Sequence, residues 1–105
     1  MKTLILPQAA KAVEKEPFEL KQSVFGVLER LSDGEEIGMP LCRSLSTIMR
    51  GLYELRFSYQ AGEYRVFYYI KVGEAIYVVH AMKKKSRKID TKTIMLLKNR
   101  IRSLP

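Results

Sequence analysis

Apolar and polar residues alternate through the second half of the chain in the pattern of consecutive β-strands. Between residues 53 and 59 the odd-numbered positions are apolar and the intervening ones polar, which is the period of a strand with one buried face. A second alternating run covers residues 64–71, and a third run is apolar on both sides until His80. The stretch from Gly51 to Lys88 therefore predicts three strands in succession.

Two glycine-containing turns predict how these strands pair. Ala61-Gly62 fits a two-residue hairpin turn, because glycine tolerates a positive φ. With this turn, the apolar sets of the first two strands stay on one face. The predicted pairs are Arg56 with Phe67, Ser58 with Arg65, and Glu54 with Tyr69.

The second turn is predicted at Gly73-Glu74. It places Tyr77, Val79 and Ala81 on the core face, but the third strand is apolar on both sides, and a turn of three residues would reverse this assignment. Its predicted pairs are Phe67 with His80, Arg65 with Met82, and Tyr69 with Val78.

The remaining segments read mainly as helices. Residues 8–15 fit a short helix, and residues 18–31 fit a longer one. The apolar stripe predicted for the longer helix consists of Phe18, Val24, Phe25, Leu28 and Leu31. A last helix runs from Asp90 or Thr91 to Ser103, with either residue as its cap. Residues 2–6 fit a β-type start, and residues 41–50 fit a short strand or a turn.

These elements predict an α+β fold made of one domain over residues 1–105. An N-terminal helical pair packs on a small, mainly antiparallel sheet of about three to four strands, and a C-terminal helix closes the domain. The length of 105 residues, with 47% hydrophobic residues, suits one domain with its own core.

Composition excludes several classes of protein. A single cysteine, Cys42, rules out a disulfide within the chain and a metal site built on cysteines. Phosphate-binding glycine loops, zinc spacings and hydrolase triads are absent from the sequence, so no metal and no cofactor is expected. The apolar run before Pro7 is too short for a signal peptide or a membrane span, so we expect a cytoplasmic protein with no membrane partner.

Positive charge is concentrated at the C-terminal end. The chain has a net charge of +8, and residues 1–82 contain equal numbers of basic and acidic residues. The whole excess therefore lies in residues 83–102, where Asp90 is the one acidic residue. Such a surface favours a polyanion or an acidic partner.

The predicted pairing places the row Arg56, Phe67 and His80 on a nearly bare polar face of the sheet. Arg65 lies beside the row, Glu54 and Tyr69 lie one step away, and residues 83–85 form a lysine rim. Cations that hold phosphates and a ring that stacks a base suit single-stranded RNA.

The same groups suit RNA cleavage. The 2′-hydroxyl of RNA is the nucleophile, so the protein needs a base, an acid and cations for the phosphorane. His80 titrates near neutrality in its unperturbed state, Glu54 or a lysine with a lowered pKa could share proton transfer, and Arg56 and Arg65 would clamp the phosphate. The structural alternatives are a histidine that ends a strand and arginines that pair with Glu54 or Glu63.

Three ordered motifs resemble one toxin family. They are Gly51-Leu52-Tyr53-Glu54-Leu55-Arg56-Phe57, Tyr64-Arg65-Val66-Phe67-Tyr68-Tyr69, and Val78-Val79-His80-Ala81-Met82 followed by Lys84, Lys85, Ser86 and Lys88. This pattern resembles the HigB-like, phage-derived branch of the RelE/ParE toxin superfamily. The resemblance implies a type II toxin that cleaves mRNA, commonly on the ribosome. It also implies a toxin–antitoxin complex with a co-encoded antitoxin, often a helix-turn-helix protein.

Residues and resemblance together predict two sets of site residues. The catalytic set is Arg56, Arg65, His80 and Lys84. The RNA-binding set is Phe67, Tyr69, Lys83, Lys85, Arg87 and Lys88.

Two alternatives remain open. A ParE-like toxin that inhibits DNA gyrase would share this fold, although His80 and the lysines favour the nuclease branch. A non-catalytic RNA-binding protein is the third interpretation.

Overall fold

The chain folds into an α+β arrangement of three helices and a five-stranded mixed sheet in a computed structural model that describes residues 1–59, 62–84, 86 and 88–105. The elements are β1 (Lys2–Ile5), α1 (Pro7–Glu14), α2 (Phe18–Ser32), β2 (Cys42–Ser44), β3 (Leu52–Tyr59), β4 (Gly62–Lys71), β5 (Ala75–Lys84) and α3 (Thr91–Arg102). The strand order is β1-β5-β4-β3-β2. The α+β prediction is confirmed.

Two short edge strands bring the sheet to five strands, more than the three to four predicted. Strand β1 precedes the helical pair and lies parallel to β5, with Leu4 opposite Tyr77. Strand β2 lies antiparallel to β3, with Arg43 opposite Glu54. Both strands are too short to show a clear period, so their place in the sheet comes from pairing rather than from their own pattern.

Helices α1 and α2 cover one face of the sheet and form the larger core. From α2 this core takes residues such as Leu20, Val24 and Leu28. Phe18 and Phe25, predicted in the buried stripe, are 66% and 41% exposed. Phe25 follows Val24, so its side chain is rotated by about 100° away from the buried side of the helix.

Helix α3 covers part of the opposite face, so that face is not nearly bare as predicted. Leu97 and Ile101 of α3 pack in a second core with Phe67 and Val79 of the sheet. Asp90 caps the helix, because its Oδ1 accepts a hydrogen bond of 2.8 Å from the backbone N–H of Thr93. The predicted cap and helix are confirmed, and the apolar stripe of α3 explains why the face is covered.

The register of β3 and β4 differs from the prediction by two residues. Tyr59 pairs with Gly62, so the predicted turn residue Gly62 belongs to β4, and the other predicted turn residue, Ala61, lies outside the described residues. The observed pairs are Arg56 with Arg65, Glu54 with Phe67, Leu52 with Tyr69, and Ser58 with Glu63. A shift of two preserves the face of every side chain, which is why the polar face is predicted correctly but its rows are not.

Strands β4 and β5 combine two departures that compensate for each other. The turn has three residues, 72–74, and not two, with Gly73 at a φ of +80°. An irregularity between Phe67 and Tyr68 then shifts the register by one residue. On the side of the irregularity away from the turn, the predicted pairs Phe67 with His80 and Arg65 with Met82 are confirmed.

Between the irregularity and the turn, the predicted pairing of β4 with β5 is wrong. Tyr69 pairs with Tyr77 and not with Val78. Tyr77 and Val79 consequently lie in the core under α3, whereas Ala81 joins the core under α1 and α2 as predicted.

Candidate nucleic-acid interface

Three arginines surround one carboxylate at the end of the sheet face that α3 does not cover. Glu54 of β3 lies 3.2 Å from Arg43 Nη2, 3.9 Å from Arg56 Nε and 3.1 Å from Arg65 Nη1. These residues come from three adjacent strands, β2, β3 and β4. We call Arg43, Glu54, Arg56 and Arg65 the arginine cluster.

The arginine cluster keeps a net positive charge. Glu54 is fully buried, and a buried carboxylate needs cationic partners. Three guanidinium groups share Glu54, and Arg65 also contacts Glu63, so three arginines and two carboxylates leave an excess of one positive charge. The side chains of Arg43 and Arg56 remain 35% and 17% exposed, so this charge is available to an anion from solvent.

Arg65 lies in the interior of the cluster and not at its surface. Its side chain is fully buried, and its guanidinium contacts Glu54 and Glu63, each at 3.1 Å. The same group donates a 2.8 Å hydrogen bond to the carbonyl of Ser86. The sequence argument that Arg65 needs an acidic partner is confirmed, and both predicted partners supply it. Arg65 thereby connects β3, β4 and the segment after β5.

Arg43 is the site residue that the sequence argument missed. It lies in a serine- and threonine-rich segment with no readable period, and only its pairing opposite Glu54 brings it to the cluster. The sequence does contain one indication of this position. Arg43 lies in a segment that fits a short strand, and such a strand could place it on the polar face beside Glu54.

The two lysines that end β5 project to opposite faces of the sheet. Lys84 lies on the face of the arginine cluster, opposite Glu63, with its side chain 9% exposed and its Nζ 4.0 Å from Asp90. Lys83 instead places its Nζ 5.1 Å from the centre of the Tyr59 ring and 3.5 Å from Glu16 of the helical side. Lys83 is therefore not brought to the site with Lys84. The predicted residues Lys85 and Arg87 lie outside the described residues.

His80 lies in the cross-strand row of Glu54, with Phe67 between them, beneath the end of α3. Its ring stacks on Phe67 with centroids 5.8 Å apart, and Arg100 Nη1 approaches its Nδ1 at 3.1 Å. Arg100 also donates a 2.8 Å hydrogen bond to the Val79 carbonyl. Burial, with a smaller contribution from the charge of Arg100, lowers the pKa of His80 to about 4. The ring is therefore neutral at neutral pH, and because guanidinium only donates, the ring proton lies on Nε2.

Neither predicted aromatic residue offers its ring to a base at the arginine cluster. Phe67 pairs with Glu54 but is fully buried, so its ring cannot stack a base as predicted. Tyr69 is partly buried beside the second core and lies four residues along β4 from Arg65, about 13 Å at strand spacing. Both rings face α3 because the apolar side of that helix needs an apolar surface.

A shallow depression of ≈ 310 Å³ adjoins the cluster at Arg43. Its walls come from the segment between β2 and β3 and from the segment before α3. Its lining residues are Arg43, Ser44, Leu45, Thr47, Ile48, Lys88 and Ile89. Lys88, predicted to bind RNA, is exposed here.

A family model for the phage-derived protein Gp49-like (DUF891) matches residues 11–102. The chain belongs to this Gp49-like family. The match of this Gp49-like chain runs from within α1 to the end of α3, so it contains the whole arginine cluster and leaves out β1. No curated protein has a significant sequence match to the chain. Within the described part of this Gp49-like protein, no helix is long and apolar enough to cross a membrane.

Proposed function

We propose that this Gp49-like protein is the toxin of a type II toxin–antitoxin pair and that it cleaves mRNA, on the ribosome, at the arginine cluster. The observation that carries the proposal is the net positive charge that three arginines retain around the buried Glu54 at an open end of the sheet. The three motifs that resemble HigB-like toxins contain Glu54, Arg56 and Arg65, so the resemblance and the geometry converge on the same groups. The family match supports a relation to RelE-like toxins.

The proposed reaction uses the 2′-hydroxyl of the RNA as the nucleophile. Its oxygen forms a bond to the adjacent phosphorus while the bond to the 5′-oxygen breaks, which leaves a 2′,3′-cyclic phosphate and a 5′-hydroxyl. The 2′-hydroxyl loses a proton and the leaving oxygen gains one. Neither a protein nucleophile nor a metal ion is required for this exchange, and the phosphorane needs cations placed in advance.

Arg56, Arg43 and Lys84 are the cations proposed to contact the phosphorane. All three lie on the face of the arginine cluster, and Glu54 or Asp90 neighbours each of them. Arg65 is a positioning residue in this proposal, because its buried guanidinium holds Glu54 and the Ser86 carbonyl in place.

His80 is proposed as a hydrogen-bond donor and not as the general acid. A ring with a pKa of about 4 is almost entirely neutral at pH 7. Its Nε2–H can then donate to a phosphate oxygen beside the cluster, while Arg100 occupies Nδ1.

Cleavage of mRNA by the purified protein tests the proposal. A 5′-labelled mRNA is incubated with the protein, with and without translating ribosomes, beside the variant Arg56→Gln. The expected result is cut mRNA with the wild-type protein and little with the variant. Intact mRNA in both conditions would refute the nuclease proposal, and a parallel assay of gyrase supercoiling would then test the alternative target.

The proposed partner is a co-encoded antitoxin with an acidic segment that covers the basic face. The excess charge in residues 83–102 supports this choice, since opposite charges accelerate association and make it sensitive to salt. The measurement is the association rate of the purified pair between low and high salt. A rate independent of salt would contradict an electrostatic interface.

A further inference from the structure

The depression beside the arginine cluster combines cations with apolar walls. Arg43 and Lys88 lie on its surface, and Leu45, Ile48 and Ile89 supply apolar side chains. Ser44 and Thr47 add hydroxyl groups. A purely structural groove between two loops does not require two cations, whereas a phosphorylated, ring-containing ligand uses all of these groups.

We propose that this depression binds the nucleotide next to the cleaved phosphate of single-stranded RNA. Lys88 and Arg43 hold its phosphate, and its base packs between Ile48 and Ile89. The inference rests on the proposed function, because it gives the arginine cluster an adjacent subsite for its substrate.

Arg43 links the subsite to the cluster. One of its terminal nitrogens, Nη2, lies 3.2 Å from Glu54, and the same side chain lines the depression while 35% exposed. Arg43 and Arg56 both approach the same oxygen of Glu54, Oε1, so phosphates bound at these two arginines would be neighbours. A second groove adjoins the cluster at Arg56, but its lining combines that arginine with the acidic Glu19, whereas the depression at Arg43 adds the cation of Lys88.

Lys88 is available for such a contact. It is exposed, and no hydrogen bond or ion pair of its side chain occurs among residues 1–59, 62–84, 86 and 88–105. Ile48 and Ile89 are only partly buried against the second core, so each leaves apolar surface facing the groove. A base gains by covering such surface, since removing apolar area from water is favourable.

The test measures binding separately from cleavage. The probe is a fluorescent adenosine trinucleotide with 2′-O-methyl groups, which cannot be cleaved through the 2′-oxygen, and tripolyphosphate is the competitor without bases. Lys88→Met should weaken binding of both probes by roughly fourfold at 0.15 M salt, the size of one phosphate contact. Ile48→Thr and Ile89→Thr should each weaken binding of the trinucleotide about three- to tenfold. Binding of tripolyphosphate should stay unchanged, because these substitutions alter only contacts to the base.

Lys11→Met is the matched control, since it removes the same charge from an exposed position of α1 on the opposite side of the sheet. It should bind both probes almost as well as the wild type. Lys88→Met alters an exposed side chain, so it remains informative even if an isoleucine variant fails to fold.

Failure of the subsite and failure of the proposed function give different results. If the wild type cuts mRNA while Lys88→Met and Ile89→Thr bind the trinucleotide normally, the subsite is wrong and the nuclease proposal stands. If the wild type does not cut mRNA, the nuclease proposal is wrong whatever the probes show. Failure of the wild type to bind the trinucleotide, or tighter binding of a polyglutamate peptide of equal charge, would also overturn the subsite.

Discussion

The guanidinium of Arg100 lies 3.1 Å from Nδ1 of His80 and thereby joins helix α3 to strand β5. The same Nη1 donates to the carbonyl of Val79, so one side chain ties the helix to both the backbone and the imidazole of the strand. This contact requires a neutral imidazole, because a protonated Nδ1 cannot accept a hydrogen bond.

Protonation of His80 should therefore destabilise the fold. Its folded pKa is about 4, while an unfolded histidine titrates near 6.5. Between these values the unfolded chain binds a proton that the folded chain does not, so the contribution is complete above pH 6.5 and is lost as pH falls towards 4. The expected loss is about 1–2 kcal/mol, reduced for the partial exposure of the ring.

Urea unfolding at pH 7 and pH 4.5 checks this for the wild type and for His80→Gln. Carboxylates also titrate in this range, so the informative quantity is the difference between the two proteins. An equal loss of stability in both would contradict the role given to His80.

Replacing Arg100 should raise the pKa of His80 without restoring its usual value. In Arg100→Gln the positive charge is removed, but burial, the larger cause of the lowered pKa, remains. NMR titration of the imidazole measures this pKa, and nitrogen chemical shifts report whether the proton stays on Nε2. A pKa unchanged from the wild type would show that Arg100 does not act on the ring.

Removal of Arg65 should destabilise the protein far more than removal of Arg56. Arg65→Met leaves the buried Glu54 without its fully buried partner, and breaking such a pair costs about 3–5 kcal/mol. Arg56→Met removes a partly exposed side chain 3.9 Å from Glu54 and should cost about 1 kcal/mol or less.

The double variant Glu54→Leu with Arg65→Met should recover part of the loss, since it removes both buried charges. Urea midpoints of the four proteins provide the comparison. Equal destabilisation by Arg65→Met and Arg56→Met would show that Arg65 is not the structural member of the cluster.

Arg56 and Lys84 should control the rate of RNA cleavage with little effect on folding. Arg56→Gln or Lys84→Met should each lower the cleavage rate by about 10²–10³-fold, the usual effect of losing one preorganised charge or donor at a transition state. The measurement is the single-turnover rate with saturating mRNA, with Lys83→Met as the matched control because Lys83 projects to the opposite face. A Lys83 variant as slow as the Lys84 variant would contradict the position of the site.

RNA binding should weaken steeply with salt. If the side chains of Arg43, Arg56, Lys84 and Lys88 each contact one phosphate, the logarithm of the binding constant should fall with the logarithm of salt concentration with a slope of about −3. Lys88→Met should reduce the slope by about 0.7. Fluorescence titrations with an uncleavable 2′-O-methyl oligonucleotide of six residues measure both slopes. A slope near zero would exclude an interface based on phosphate contacts.

Much of the fold could be predicted because local signals are strong in this chain. The alternation around Leu55 and Phe57 marks a half-buried strand, and Asp90 before an apolar stripe marks the start of α3. Glu54 and Arg56 were correctly assigned to one face, since parity survives a register error of two.

The composition of the site depended on long-range pairing. Arg43 reaches Glu54 only through the pairing of β2 with β3, and Lys83 leaves the site because the pleat directs it to the other face. His80 met its predicted partner Phe67 only because a three-residue turn and a strand irregularity compensated for each other.

By itself, then, the sequence determined the three central strands, the helices, the polar face and the concentration of charge at the C-terminal end, because these follow from periods and counts along the chain. Only the tertiary structure decided that three arginines share the single carboxylate of Glu54 and that Arg65 and Phe67 are buried. The physical reason is that burial and charge pairing depend on which strands become neighbours and on where α3 finds its apolar surface. Those contacts join residues that are distant in sequence, and no local period records them.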